Sequence, residues 1–369
     1  MLIGMTETPR KSPSDPPDVP EGDRSGNSTI ALPSPLAGSG ALDRLVETAR
    51  DYARAAISEN TLAAYATDWA AFTRWCRMRG ADPLPPSPEL IGLYIADLAA
   101  PQGKAPSQSA VRPLSVASIE RRLSGLSWGY VQRGFDLDRK NRHIATVLAG
   151  IRRKHARPPV QKEAILPEDI RTMLATLPHD LRGLRDRALL LIGFAGGLRR
   201  SEIVSLDHGR DDTPDQGGWV QVLEEGALIT LRGKTGWREV EIGRGSSDQT
   251  CPVHALSQWL HYAGIDFGPI FVAVSRGGLK ATGERLSDKH VARLIKQAVG
   301  DAGLRPELSK AERLQLYSGH SLRAGLASSA EVDERHVQKH LGHASAEMTR
   351  RYQRRRDRFR VNLTRAAGL

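Results

Sequence analysis

Ser318-Gly319-His320-Ser321-Leu322-Arg323, then Leu341-Gly342-His343 and Thr349-Arg350-Arg351-Tyr352, with Gly197-Leu198-Arg199-Arg200-Ser201-Glu202 far upstream, are the stretches on which the reading of this chain turns. They set two arginines, two histidines and one tyrosine in a fixed order. Guanidinium groups hold phosphate oxygens, imidazoles move protons and a phenol oxygen can attack phosphorus. The set therefore contains what a metal-free phosphodiester exchange requires, and it calls for no cofactor.

Local spacing supports this chemistry. His320 and Arg323 are three residues apart in the sequence, so on a helix they share one side and can face the same phosphate. A guanidinium suits that place better than an ammonium because its planar fork matches two phosphate oxygens. An imidazole titrating near pH 6.5 can assist proton movement there. Tyr352 lies among Arg350, Arg351, Arg354, Arg355, Arg356, Arg358 and Arg360. Positive surroundings favour the phenolate-like transition state of a phenol whose ordinary pKa, near 10, makes it a poor nucleophile. His336, His340 and His343 stand at i, i+4 and i+7 and could in principle bind zinc, but no nearby carboxylate or thiolate completes a ligand set, so no metal is expected. Asp211, Asp212 and Asp215 cluster in one turn-like loop, which argues against the spread carboxylate triad of a metal-dependent transposase.

These motifs, in this order, resemble those of the tyrosine recombinases, the phage integrase family. Members carry Gly-Leu-Arg-x-Ser-Glu, a lysine on a β-hairpin, His-x-x-Arg, then Leu-Gly-His with the nucleophilic tyrosine nine residues beyond its histidine. His343 and Tyr352 keep that interval. The resemblance is strong over 165–369 and loose over 41–152. It implies that Arg199 holds a nonbridging oxygen of the scissile phosphate while Glu202, one turn on, orients the site. Arg323 completes the clamp, His320 assists proton movement, and His343 bonds the phosphate or positions the tyrosine. Tyr352 would form a covalent 3′-phosphotyrosine, which conserves the energy of the broken bond and permits rejoining without ATP. Lys234, in the turn Gly233-Lys234-Thr235-Gly236, matches the family's general acid, whose ammonium protonates the departing 5′ oxygen. A nucleotide-binding P-loop is rejected at that lysine because position 228 is Leu228 and a strand, not a helix, follows the threonine.

The resemblance also implies a fold: an all-α, SAM-like core-binding domain followed by a mixed α+β catalytic domain. Four protomers on two duplex DNA recombination sites would form the working assembly. One departure stands out. The segment Ala327 to Arg335 between the last two helices of the motif is shorter than usual in the family and lacks the customary glycine. A type IB topoisomerase, or an inactive accessory DNA-binding protein of the same fold, would share much of the pattern.

Composition agrees. With 53 Lys and Arg against 42 Asp and Glu the formal charge is +11, suited to a polyanion whose counterions are released on contact. Only Cys76 and Cys251 are present, far apart, so no disulfide framework is expected and the reducing cytoplasm is the natural compartment. No run of roughly 18 apolar residues and no signal-peptide pattern occurs, so neither a membrane span nor export is expected.

Along the chain, 1–40 is rich in Pro, Ser, Gly and Asp and reads as a disordered arm. Residues 41–152 read as a helical DNA-binding domain. Its first helix carries Leu42, Leu45, Val46, Ala49, Ala53 and Ile57 on one face; a second, capped by Ser58 and ended by Gly80, turns Leu62, Tyr65, Trp69, Phe72 and Cys76 inward; a third starts at Ser87-Pro88-Glu89. Two more cover Ser118 to Arg133 and Arg139 to Lys154. In the fourth, Arg121 and Arg122 flank the core stripe and can point at phosphates. Arg152-Arg153-Lys154 opens a basic linker, 153–164, whose prolines Pro158 and Pro159 forbid helix continuation. The catalytic domain, 165–369, opens at Leu166-Pro167-Glu168-Asp169, follows with a buried helix Arg185 to Ala195 that Gly196-Gly197 breaks, and contains three strands, Trp219 to Leu223, Ala227 to Leu231 and Trp237 to Ile242. Its last helix, Arg358 to Leu369, carries an apolar stripe of Phe359, Leu363 and Ala366, with Ala367 beside it.

Overall fold

The computed structural model describes residues 40–100, 113–158, 161–210, 213, 216–233, 236–330, 333–342, 347 and 350. The N-terminal arm, Asp211, Asp212, Asp215, Lys234, His343, Tyr352 and the helix read at 358–369 lie outside them. The chain divides into two units, Met1–Pro158 and Pro159–Leu369.

The described part of the first unit is helical: α1 (Gly40–Ala55), α2 (Glu59–Met78), α3 (Pro88–Ala99), α4 (Val116–Val131) and α5 (Arg142–His155). Ser87 Oγ accepts from Leu90 N to start α3, with Pro88 in its first turn, as the Ser-Pro-Glu signal predicts. Ser58 precedes α2, but its hydroxyl meets Thr61 Oγ1 rather than a backbone amide. Trp69, Phe72 and Cys76 of α2 pack with Ile91, Tyr94 and Ile95 of α3, Ile119, Leu123 and Leu126 of α4 and Ile144 and Leu148 of α5. Along α1 the expected stripe is only partly covered: Val46 is buried while Leu45 is 62% exposed.

Inside this core sits Asp68, 2% exposed, and a buried carboxylate needs a counter-charge. Arg121 supplies it with both Nη atoms, one at 2.9 Å, and Arg122 lies beside it while donating to the Tyr94 hydroxyl at 3.0 Å. The two arginines expected on a phosphate-facing surface are thus already engaged with α2 and α3. Helix α5 runs on through Arg152, Arg153 and Lys154, all exposed, so the residues expected to open the linker form a helical last turn; Arg152 pairs with Glu120 at 2.7 Å.

The second unit comprises α6 (Pro167–Ala175), α7 (Leu181–Ala195), α8 (Arg200–Val204), β1 (Leu206–His208), β2 (Gly218–Val222), β3 (Gly226–Gly233), β4 (Gly236–Gly243), α9 (Pro252–Ala263), β5 (Gly268–Pro269), β6 (Val272–Val274), β7 (Ala281–Arg285), α10 (Asp288–Asp301), α11 (Lys310–Leu316), α12 (His320–Ser329) and α13 (Glu334–Leu341). Five strands form a sheet in the order β4-β3-β2-β1-β5, in which β1 runs parallel to β2 and the other pairs are antiparallel. The three strands read from alternation are β2, β3 and β4; β1 carries a wholly buried Asp207, paired to Arg285 at 2.6 Å. The β3-β4 ladder closes at the pair Gly233↔Gly236. Apolar α7 is a central support of this unit, contacting α6, α8, α9, α10 and α12.

The glycine-free connection between α12 and α13 works by other means. Ala330 ends α12 in an extended conformation, and Asp333 starts α13 by accepting from the Arg335 amide. Ala327, Val337 and Leu341 then pack as a small core of their own with Leu326 and Ala330.

A buried polar cluster on α7 and α10 predicts a pH response. Arg185, 4% exposed, bonds Asp186 at 2.8 Å and His290 Nε2 at 3.2 Å. Burial, then the charges of Arg185 and Arg293, holds the His290 imidazole down to about 4. The unfolded chain therefore binds the extra proton first, so this contribution is intact above about pH 6.5 and is lost as pH falls toward 4, by on the order of 2 to 3 kcal/mol. Asp186, whose carboxyl burial raises, acts in the opposite sense. Comparing urea stabilities of the wild type and His290→Gln across that window isolates the histidine: their difference should shrink on acidification, and a constant difference would refute the assignment.

Candidate active site

The break after α7 brings the first arginine to the site. Gly196 caps the helix and Gly197 adopts φ +55, the left-handed region. A side chain at Gly197 would also meet Leu341 and Leu326 at 2.4 and 3.0 Å, so both backbone and space require glycine. Arg199 then becomes the N-cap residue of α8. Its amide donates to Glu202 Oε2 at 2.8 Å, satisfying one open donor of the helix start, and its Nη1 donates to Oε1 of the same carboxylate. Arg199 retains 29% side-chain exposure while Glu202 is 7% exposed.

His320 and Arg323 lie on the first turn of α12, as the spacing predicts, but with different surroundings. Arg323 is 1% exposed; its Nη1 donates to Gly197 O at 2.7 Å and its Nη2 to Leu341 O. It thereby ties the turn before Arg199 to the end of α13. His320 keeps an exposed edge. Burial of the ring, followed by the charges of Arg323 and Arg199, pushes its pKa below the ordinary imidazole value, so Arg199, His320 and Arg323 sit within electrostatic reach of one another. The imidazole is uncharged at neutral pH and can accept a proton.

A further arginine, which none of the sequence motifs contains, enters the site. Arg238 on β4 donates to Glu202 Oε2 at 3.1 Å and to the His340 carbonyl at 3.3 Å. The available signal was its position. In a strand whose Trp237 and Glu239 face outward, Arg238 occupies an inward place, paired in register with the buried Leu231. The carboxylate of Glu202 is thus met by Arg199 and Arg238, and Arg199 and Arg323 both act on His320, so that positive charge gathers here among the described residues. Such a surplus in a partly enclosed site attracts an anion.

Lys234 lies outside the described residues, but its neighbour Gly233 ends β3 close to Glu202: a side-chain carbon at 233 would stand 3.9 Å from Oε1. His343 and Tyr352 are likewise outside, although Arg350, two residues before the tyrosine, is bonded to Glu334 at 3.0 Å. The nearby Tyr317 is 2% exposed and burial pushes its pKa to about 12, which makes it a poor nucleophile. Of the histidine series, His336 is exposed and His340 turns Nε2 to Ala195 O at 2.9 Å. Among the described residues no three His, Cys, Asp or Glu side chains cluster as metal ligands do.

The model of the phage integrase family matches residues 163–358, the segment that holds all of these groups. The chain belongs to that family. It is 33% identical over 319 residues to the integrase/recombinase xerD homolog of Selenomonas ruminantium, covering 83% of this chain and 84% of the relative. It is 30% identical over 301 residues to tyrosine recombinase XerC of Xanthomonas campestris pv. campestris, covering 80% and 79%. Among solved structures, a XerH site-specific recombinase bound to a palindromic difH substrate, in a post-cleavage complex, superposes with a TM-score of 0.55 at 18% identity over 90% of this chain and 85% of that one. This likeness establishes the fold. The catalytic part expected from the motifs, helices with a mixed sheet, is the one observed.

The depressed imidazole predicts the acid side of the activity profile. The rate of covalent adduct formation, measured at subsaturating DNA so that the free protein's ionisation is reported, should fall only at a pH below about 6.5, the ordinary imidazole value. His320→Gln should be slower and lack that limb. A limb centred above 6.5, or one that persists in the variant, would contradict a proton-accepting His320.

Proposed function

We propose that the protein is a site-specific DNA recombinase of the integrase type, which cleaves and rejoins duplex DNA through a covalent 3′-phosphotyrosine on Tyr352 with neither metal nor ATP. One observation carries this reading: Glu202 holds Arg199 beside the end of the lysine hairpin, and Arg199 and Arg323 both bear on His320, in a family whose curated relatives are named as recombinases. Those relatives also favour recombination over the topoisomerase alternative.

In the proposed mechanism the partly exposed Arg199 holds a nonbridging oxygen of the scissile phosphate, and Arg323, buried on the carbonyls of Gly197 and Leu341, completes the clamp by exchanging one of those carbonyls for a phosphate oxygen when DNA binds. The Tyr352 oxygen attacks phosphorus as His320 takes its proton. The bond to the 5′ oxygen breaks and Lys234 protonates that leaving group. Rejoining runs the same steps backward with a 5′ hydroxyl as nucleophile. His343 hydrogen-bonds the phosphate or positions the tyrosine, and Glu202 keeps the Arg199 side chain aligned.

The helical unit is assigned as the core-binding domain of SAM-like type. Exposed Arg152, Arg153 and Lys154, with the half-exposed Arg121 and its neighbour Arg122, would contact backbone phosphates, giving an affinity that falls with salt. The working form is assigned as a homotetramer on two duplex sites. An apolar hollow of about 360 Å³ in the catalytic unit, lined by Ile170, Leu191, Phe194, Ile242 and Leu326 among others, suits the apolar stripe of 358–369 from a neighbouring protomer. Both cysteines are free and buried, and among the described residues no helix is long and apolar enough to cross a membrane; the cytoplasm is the proposed compartment.

Trapping on a nicked suicide duplex tests the central reading. Wild type should form a protein–DNA adduct in EDTA, and Tyr352→Phe should form none while binding DNA with near wild-type affinity. An adduct with the variant, or a requirement for a divalent ion, would overturn it.

Assembly has its own test. Truncation after Asp357 should preserve binding of one protomer to a half-site and weaken cooperative filling of the second. Unchanged cooperativity in a half-site titration would exclude docking between protomers.

A further inference from the structure

The sequence assigns Arg238 no role, yet the fold carries its charge to the inward face of a strand. Its backbone neighbour across the ladder is Leu231, and Ile229, Leu231 and Val240 on that face are fully or almost fully buried. The guanidinium is 11% exposed, and its Nε has no acceptor among the described residues. Burial pulls its pKa down, while Glu202 opposes the shift. A charge held under these conditions needs compensation, and its two partners supply it: Glu202 Oε2 at 3.1 Å and the His340 carbonyl at 3.3 Å.

The second partner links Arg238 to the other side of the site. The last carbonyls of a helix lack partners within it and attract cations. At the end of α13 two consecutive carbonyls are taken by two arginines, His340 O by Arg238 and Leu341 O by Arg323. Gly342 then turns the chain at φ +60, and a side chain there would collide with Arg238 Nη1 at 2.4 Å. The helix terminus therefore rests directly on the guanidinium. His343 is the next residue in the chain. Through Glu202 the same guanidinium reaches Arg199, and in sequence Arg238 stands four residues from Lys234.

We infer that Arg238 is a positioning residue for strand cleavage, holding Glu202 and the end of α13 in one frame so that Arg199 and the segment leading into His343 keep a fixed relation. The inference rests on the cleavage reading above. A forked cation fits this role best, since one planar group serves two acceptors in different directions, whereas an ammonium on a flexible stem aligns with one of them and keeps part of the function.

The test compares Arg238→Met, Arg238→Lys, Glu202→Gln and the double variant Glu202→Gln/Arg238→Met. Single-turnover adduct formation is followed on a nicked duplex bearing a half-site selected from random-sequence DNA by binding, with affinity and thermal melting measured on the same preparations. Arg238→Met should lower the cleavage rate by about 10- to 100-fold with affinity within about twofold, and Arg238→Lys should recover part of the rate. The double variant should be no slower than the slower single one, as expected for groups that act as a unit. A wild-type rate in Arg238→Met, no recovery in a stable Arg238→Lys, or multiplicative losses in the double variant would each overturn the inference. Should Arg238→Met fail to fold, Arg238→Lys decides: a reduced rate with retained affinity supports the role, and a wild-type rate overturns it. A wild type that forms no Tyr352-dependent adduct overturns the cleavage reading itself, and this inference with it.

Discussion

The carboxylate of Glu202 is the point from which the catalytic unit is organised. Buried to 7% exposure, it accepts from the Arg199 amide, from the Arg199 guanidinium and from Arg238. One group thus starts α8, aims the first arginine and anchors strand β4. Taking away one partner of such a buried pair commonly costs about 3 to 5 kcal/mol, because the other charge is left without compensation. The same physics makes the arrangement rigid. An arginine that must already be in place when charge develops on a phosphate gains from a partner that cannot move.

Arg323 performs a complementary task. Instead of a carboxylate it uses two carbonyls, of Gly197 and Leu341, which come from segments distant in sequence. The left-handed glycine at 197 lets Leu341 and Leu326 close on the turn, and the left-handed cap at 342 leaves room for Arg238. With Arg238 on the adjoining carbonyl of His340, the end of α13 is gripped by guanidinium groups. Burial first, and then the charges of Arg323 and Arg199, lowers the proton affinity of His320; burial first, with Arg238 and Arg323 adding to it, lowers that of His340. Structural support and chemical tuning therefore arise from the same cations.

In the helical unit, too, cations read from sequence as free for DNA are partly committed to the protein. Asp68 at 2% exposure draws Arg121 and Arg122 inward, and no feature of the Arg121-Arg122 stretch announces a carboxylate on another helix. An arginine's local context cannot distinguish a phosphate partner from a buried aspartate, since both present oxygens to the same fork.

Much was legible in the chain itself. Local signals act over a few residues, so Ser87-Pro88 marked the start of α3, Gly196-Gly197 marked the break after α7, and alternation marked β2, β3 and β4. The order of Gly-Leu-Arg, His-x-x-Arg and Leu-Gly-His marked the family. What local signals could not encode were pairings between distant segments: β1 parallel to β2 with Asp207 buried beneath Arg285, Arg323 on the carbonyls of Gly197 and Leu341, and Arg238 between Glu202 and His340. Residue type and spacing determined which groups can do the chemistry. Tertiary structure decided which of those charges meet one another, because desolvation and backbone acceptors exist only once the strands and helices have packed.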